Sequence, residues 1–442
     1  MRLNGFGPSS QLESINRELL AAIADADYAG YDPFDTLNSP LLKRLPLYRS
    51  AWFRLAFLQL GKRLPVDLRP LLRVPKARNP KGVALCILAL LQDFQRTGSA
   101  HFLAEAHALG RWLINQRSAP AHWQHPCWGY HFDWQARAFF VPAGKPNVIT
   151  TCYVARALYA LGETADDDAL RKPALESARF ISASLFTQLD GEYFYAYIPG
   201  ETALIHNANL WGAAWCAFAG RRLGDSAMIE QALLAAQTSL QAQRSDGSWW
   251  YGTRAHHQFI DGFHTGYMLE ALYLLRGSSA GSGPEPSPEP SPEPGTGPST
   301  GSSPEPGPAS GAGSSLAASA TTPFDEAIES AYRHYKKTFL SPEGDVNYFH
   351  NSPYPRDIHS VAQAVLTLLV LGPLGEVLPQ CERILQRAVQ NLYLPQHRRF
   401  VYQKGRWLTN RMNYLRWSQA WAYYAIASYL RHREEAAYDA TV

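Results

Sequence analysis

Apolar positions in this chain gather in continuous runs that stop at glycines, and each run is followed by a stretch in which apolar and charged positions alternate at helical spacing. Val83 to Leu91, Val154 to Leu161 and Val361 to Leu371 are apolar nearly all round, which predicts buried inner helices. The runs stop at Thr97-Gly98, Leu161-Gly162, Leu223-Gly224, Leu275-Arg276-Gly277 and Leu371-Gly372. Glycine just past a helix end supplies the left-handed conformation that closes it. More amphipathic helices with charged faces are predicted over about 100–117, 168–187, 226–243, 323–340 and 377–394, and these make an outer layer. The sixth inner helix is Tyr414 to Leu430, and the helix around Tyr48 to Gly61 is expected to supply its outer partner.

An aromatic motif precedes the inner helices and recurs five times. Its clearest copy is Gly247-Ser248-Trp249-Trp250-Tyr251. The others begin at Trp128-Gly129-Tyr130, Gly191-Glu192-Tyr193, Gly344-Asp345-Val346 and Arg399-Phe400-Val401. Gly129 to Gly191 is 62 residues, Gly191 to Gly247 is 56 and Gly247 to Gly344 is 97. A recurrence of this size marks a repeat architecture. The long third interval contains 277–322, almost pure Gly, Ser, Pro, Ala, Thr and Glu, which reads as a disordered insertion. Without those 46 residues the interval is 51, in line with the others. Six inner and six outer helices closing on themselves predict an all-α fold, an (α/α)6 toroid with short hairpin-like aromatic loops. The expected organisation is an N-terminal segment 1–45, one toroid domain over 46–435 interrupted by the insertion, and a tail 436–442.

A formal charge of +3 spread along the chain gives no electrostatic case for nucleic acid. No apolar stretch reaches the length of a membrane span, and Met1 to Ser10 lacks an apolar signal core, so a cytoplasmic protein is expected. The five cysteines (86, 127, 152, 216, 381) are scattered and read as small buried hydrophobes. No metal-ligand spacing implies a metal or other cofactor.

In a toroid, the loops before the inner helices converge at one mouth of a central funnel, and the polar and aromatic residues are concentrated there. Asn207 and Trp211, then Asp261, His264 and Tyr267, then Arg356, Asp357 and His359, then Arg416, Trp417 and Gln419 fall at successive mouths. Amides, acids, arginines and flat aromatics suit a sugar, whose hydroxyls hydrogen-bond and whose C–H faces stack. Asp261 and Asp357 each sit just before a helix, where Asp commonly caps. They also occupy matching positions in adjacent repeats, each followed by a histidine. Arg356 and Arg416 could bind uronate or phosphate groups, or pair with nearby acids.

The hairpins, the six helix pairs and the segment Phe259 to Ala271 resemble the six-hairpin carbohydrate-active proteins. These include unsaturated glucuronyl hydrolases, N-acylglucosamine 2-epimerases and the toroid domains of polysaccharide lyases and glucuronyl C5-epimerases. More narrowly, the chain resembles toroid proteins encoded with bacterial exopolysaccharide biosynthesis genes. The resemblance implies a saccharide ligand, acidic in kind, in extracellular or cell-surface polysaccharide metabolism. In the glucuronyl hydrolases two aspartates at funnel mouths carry the acid/base work, and Asp261 and Asp357 match them by location in the repeat. His264 and His359 would instead serve an epimerase or lyase. A non-catalytic glycan-binding or scaffold protein, partnered with polysaccharide-assembly proteins, is the reading from another class. Gln243 to Trp249 also resembles the Gln…Gly-x-Trp repeat of squalene-cyclase-like proteins, but the acidic DxDD cluster of those enzymes has no counterpart at the mouth. That repeat is structural, so Trp249 reads as a hairpin staple.

Overall fold

The computed structural model describes residues 8–64, 66–135, 140–279 and 323–439. In chain order its α-helices are α1 (Pro8–Asp25), α2 (Pro40–Lys43), α3 (Ala51–Arg63), α4 (Pro80–Thr97), α5 (Ala100–Asn115), α6 (Val148–Ala165), α7 (Asp168–Leu185), α8 (His206–Leu223), α9 (Ser226–Gln241), α10 (Gly262–Ser279), α11 (Pro323–Phe339), α12 (Ile358–Leu371), α13 (Leu374–Leu392) and α14 (Ala420–Asp439). Helices α4, α6, α8, α10, α12 and α14 pack side by side in that order, and α14 returns to α4, so the inner ring closes. Helices α5, α7, α9, α11 and α13 each lie against the inner helix that precedes them. The fold is the all-α (α/α)6 toroid that the repeat predicts. The Pro- and Glu-rich tract expected over 277–322 lies outside the described residues, except for 277–279, which end α10.

The sixth outer position differs from the sequence reading. Helix α1 fills it, packing on α14 and α13 and burying Leu12, Ile15, Leu19 and Ile23 in the core. Asn16 of α1 donates from Nδ2 to both oxygens of the buried Asp93 on α4, at 3.0 and 2.9 Å. Helix α3, expected in that place, lies beside the Asp35–Asn38 turn and the short strand Trp134–Gln135. The cause is legible in the pattern. Helix α1 carries a single apolar stripe at 12, 15, 19 and 23, as an outer helix requires, whereas α3 is apolar on two faces.

Two of the expected glycine caps are left-handed, Gly98 at φ 67 and Gly224 at φ 67. Gly162 lies within α6, and Asp166, at φ 49, takes the cap. A Cβ at Gly162 would come within 2.6 Å of Arg171 Cγ, so that glycine permits close approach of α7. Gly372 is extended, as the residue before a proline prefers.

The aromatic motifs are staples between layers. Trp128 Nε1 donates to the Leu113 carbonyl of α5 at 2.8 Å, and Trp249 Nε1 donates to the Ser239 carbonyl of α9 at 2.7 Å. Their glycines serve the same contact. Gly344 has φ 89, and a Cβ there would sit 2.6 Å from the Arg383 carbonyl oxygen of α13. Gly344→Ala is expected to cost at least about 2 kcal/mol, from left-handed strain plus the clash. Gly375→Ala, with no neighbour near its added Cβ, should be neutral or stabilising. Denaturant unfolding of the two variants checks this.

Candidate functional site

A cavity of about 780 Å³ opens at the N-terminal ends of the inner helices. Side-chain caps hold those ends in place: Asn79 Oδ1 accepts from the amides of Lys81 and Gly82, and Asn147 Oδ1 from that of Thr150. The first turns then deliver Lys81 of α4, Asn207 of α8, His264 and Tyr267 of α10, and His359 of α12 to the cavity wall. The sixth inner helix opens with a π-helical segment, Leu415–Gln419, which brings Arg416 and Trp417 to the same wall. Such π segments are rare and recur at functional sites. Tyr130, Phe132, Trp134, Tyr197, Tyr251 and Phe259 from the hairpin loops make the sides largely aromatic. Helix α3 closes one side with Leu55, Leu58, Gln59 and Lys62.

Asp261 and His264 form a dyad. Asp261 Oδ1 caps α10 by accepting from the His264 amide at 2.8 Å, and Oδ2 lies 2.7 Å from His264 Nδ1. A carboxylate only accepts, so Nδ1 carries the proton and Nε2 is turned away from the aspartate. The aspartate is buried, while the imidazole keeps 19% exposure and lines the cavity. The cap and the dyad thus use the two oxygens of one carboxylate. Each Asp261 oxygen is thus engaged by His264, which makes the more exposed imidazole the group placed to exchange a proton with a substrate.

His359 is buried between the rings of Phe263 and Trp421, at 4.7 Å from each. Its Nε2 makes a short hydrogen bond with the Tyr267 hydroxyl, and its Nδ1 has no partner among the described residues. Lys81 Nζ lies 3.5 Å from that same hydroxyl and 4.1 Å from the centre of the Tyr153 ring. Burial pushes both groups well below their ordinary values, with the Arg416 charge and, for His359, the Lys81 charge adding to it. The imidazole is therefore neutral at physiological pH, and Lys81, Tyr267 and His359 form a line of contacts beside the cavity. His264 and His359 both pack on Phe263, with centroids 4.1 and 4.7 Å away.

Four of the expected residues do not reach the cavity wall. Asp357 is fully buried. Its Oδ1 caps α12 by accepting from the Ser360 amide at 3.0 Å, and its Oδ2 accepts from Gln403 Nε2 at 2.8 Å. The capping role therefore occupies it. Arg356 pairs with Asp345 at 3.1 Å. Gln419 clamps the backbone of Phe400, donating to its carbonyl at 2.8 Å and accepting from its amide at 3.0 Å. Trp211 is buried against Tyr153 at 5.3 Å. Arg416 does line the cavity, but its guanidinium is held by Asp32, Nε to Oδ2 at 2.6 Å and Nη2 to Oδ1 at 2.9 Å. Asn207 Oδ1 and Trp417 Nε1 are buried without partners among the described residues, on two residues that line the cavity.

Burial pushes the Asp357 carboxyl up to about 7 from 3.8. A carboxyl that keeps its proton in the fold but loses it near 3.8 when unfolded stabilises the fold fully below 3.8, and that contribution is lost as pH rises through about 7. Stability is expected to fall across that window by up to ~4 kcal/mol, at ~1.4 kcal/mol per pH unit. Asp35 is pushed up likewise by burial, so Asp357→Asn, which keeps the cap, should reduce the slope without abolishing it. Thermal melts over a pH series measure the difference.

The sequence reading passed over Lys81, Glu201, Arg254 and Asp32. Lys81 follows Asn79-Pro80, a cap and a proline at the helix start. A lysine in that first turn opposes the helix dipole, a signal that it is placed for another reason. Glu201 and Arg254 pair at 2.6 Å on the cavity wall, and Glu201 Oε1 also accepts from the amides of Thr202 and Ala203. No spacing rule joins residues 53 positions apart in two loops.

Solved structures share this architecture. An unsaturated glucuronyl hydrolase specific for heparin superposes with a TM-score of 0.58 at 11% identity, covering 97% of this chain and 98% of its own. A cellobiose 2-epimerase from Bacillus thermoamylovorans gives 0.56 at 9% identity, covering 97% and 99%. A GH76 α-mannanase from Bacteroides thetaiotaomicron gives 0.54 at 11%, covering 83% and 90%. No family model matches the chain, and no curated protein matches it. At these identities the likeness is one of fold: this chain is an (α/α)6 toroid built as theirs are.

Proposed function

We propose that the cavity binds a saccharide and that the Asp261–His264 dyad transfers a proton to or from a sugar carbon, the chemistry of an epimerase or a lyase. The observation that carries this reading is the 2.7 Å contact of His264 Nδ1 with Asp261, which fixes the tautomer of an imidazole standing in an aromatic cavity. The Tyr267–His359 pair supplies a second proton-transfer group on the same wall. Aromatic sides suit the C–H faces of a sugar ring, and the neighbours of like fold bear the names of saccharide-active enzymes. Lys62 and Lys81 favour an acidic sugar, since a bound carboxylate would offset the burial that disfavours the Lys81 charge.

Paired-carboxylate hydrolysis fits less well. Asp357 is sealed under its cap, Asp261 is committed to His264, and Glu201 is tied to Arg254. Extracellular or cell-surface polysaccharide metabolism, with polysaccharide-assembly proteins as partners, belongs to the same proposal and rests on the resemblance of the repeat. Binding without turnover is the second reading, favoured by the aromatic walls taken alone.

The test is proton NMR of the protein with a panel of acidic and neutral mono- and oligosaccharides in heavy water. Loss of one sugar C–H signal, or appearance of a vinyl proton, supports the proposal. A new reducing end without exchange would replace it with hydrolysis. Saturation transfer to sugar protons with no product would replace it with binding alone.

A further inference from the structure

The exposed large hydrophobic side chains concentrate in one stretch of the chain. Leu45, Leu47, Trp52, Leu60, Val66 and Leu71 all lie there, with Trp52 82% exposed and Leu71 75% exposed. On α3, Trp52, Ala56 and Leu60 recur every fourth residue and so share one exposed stripe. The stripe formed by Leu55, Leu58, Gln59 and Lys62 lines the cavity. One apolar face of α3 is thus used by the toroid and the other is not covered by any described residue.

The same stretch is charged with one sign. Residues 41–78 hold ten of the chain's 41 Lys and Arg but only one of its 38 Asp and Glu, Asp67. Arg44, Arg49, Arg73 and Lys76 are exposed and make no ion pair among the described residues. A tryptophan and leucines rimmed by unpaired basic groups is the composition of an interfacial membrane contact.

We propose that residues 41–64 and 66–76 dock the mouth of the toroid on an anionic lipid bilayer, with Trp52, Leu60 and Leu47 set among the headgroups. No helix among the described residues is long and apolar enough to cross a membrane, and the contact proposed is a peripheral one. Charge decides the occupant. A second copy of the chain would set this basic stretch against itself, whereas an anionic bilayer complements it. Since α3 is also a wall of the cavity, docking seats the cavity at the lipid surface, where a membrane-borne ligand would meet it. The inference stands apart from the proposed reaction, because nothing in it depends on a sugar.

Cosedimentation of the full chain with phosphatidylcholine vesicles, made with and without phosphatidylglycerol, tests it. Binding is expected only to the anionic vesicles and should weaken as salt is raised. Arg44→Glu with Arg49→Glu should lower the partition at least about tenfold, since each basic residue at such a surface is worth about fivefold. Trp52→Ser with Leu47→Ser should lose most of the binding. All four side chains are exposed, so unchanged melting curves confirm folded variants. The proposal is overturned by absence of binding to anionic vesicles, by equal binding to neutral ones, or by binding that both double variants leave intact. A dimer that Trp52→Ser dissociates would also overturn it, by showing that a second copy covers the face.

Discussion

Replacing His264 with alanine is expected to lower proton exchange at the sugar carbon by about 10²–10⁴-fold, the usual contribution of a positioned acid or base, while stability changes little. The ring is partly exposed, and its loss leaves the Asp261 cap on the residue 264 amide intact. The more discriminating variant is Asp261→Asn. Asparagine caps a helix as well as aspartate does, so the hydrogen bond to the residue 264 amide survives. Its side-chain NH₂, however, cannot accept from Nδ1–H. The imidazole must then move its proton to Nε2, presenting the wrong tautomer to the cavity. Activity should fall by a factor approaching that of His264→Ala, with the melting temperature nearly unchanged. Asp261→Ala should lose both activity and stability, since the cap goes too. Retained exchange in His264→Ala would move the base to the Tyr267–His359 pair. Full activity in Asp261→Asn would reduce the aspartate to a cap. Asp357→Asn separates the rival mechanism cleanly, because a paired-carboxylate hydrolase would lose its activity and the dyad would not.

The sequence disclosed the ring because a toroid repeats its physics. Each copy must bury one apolar helix, turn at a residue that tolerates a tight approach, and staple a hairpin to the outer layer, and Gly344 with Trp249 shows these demands directly. Location at the mouth was equally legible, since Asn207, His264, Tyr267, His359, Arg416 and Trp417 all reach the cavity. The roles of the residues there were not. A carboxylate before a helix carries the same signature whether it caps, as Asp357 does, or caps and orients a neighbour, as Asp261 does. Only the direction of the second oxygen tells them apart, and that depends on what lies across the turn: Gln403 in one case and His264 in the other. The N-terminal segment was misplaced for a related reason. Helix α3 is apolar enough for an outer helix, but its apolar residues fall on two faces, and α1 offers the single stripe that the closing position demands.

Asp32→Asn is expected to destabilise the fold by about 3–5 kcal/mol, because it leaves the Arg416 guanidinium buried with no counter-charge. The two side chains are 1% and 4% exposed and meet through two hydrogen bonds. Asp32 is also part of a wider cluster. Its amide donates to Asp35 Oδ2 at 2.8 Å, its carbonyl accepts from Arg69 Nη2 at 2.7 Å, and Arg69 pairs with Asp35 at 2.5 Å. Two arginines and two aspartates thus balance while joining the N-terminal segment to the start of the last inner helix. That placement bears on function. If Arg416 were held in reserve for an acidic ligand, removing its partner would free it and tighten binding at small cost in stability. With Nε and Nη2, one bidentate edge, already on Asp32, the structure calls for the opposite result, a large loss of stability and no gain in affinity. Urea unfolding of Asp32→Asn, Arg416→Gln and the double variant resolves it. Each single change strands one buried partner, and the double change strands neither, so the double variant should be more stable than the sum of the singles implies by about 0.5–3 kcal/mol. Additive losses would mean that the pair is not a unit, and Arg416 would then return as a candidate ligand-binding cation.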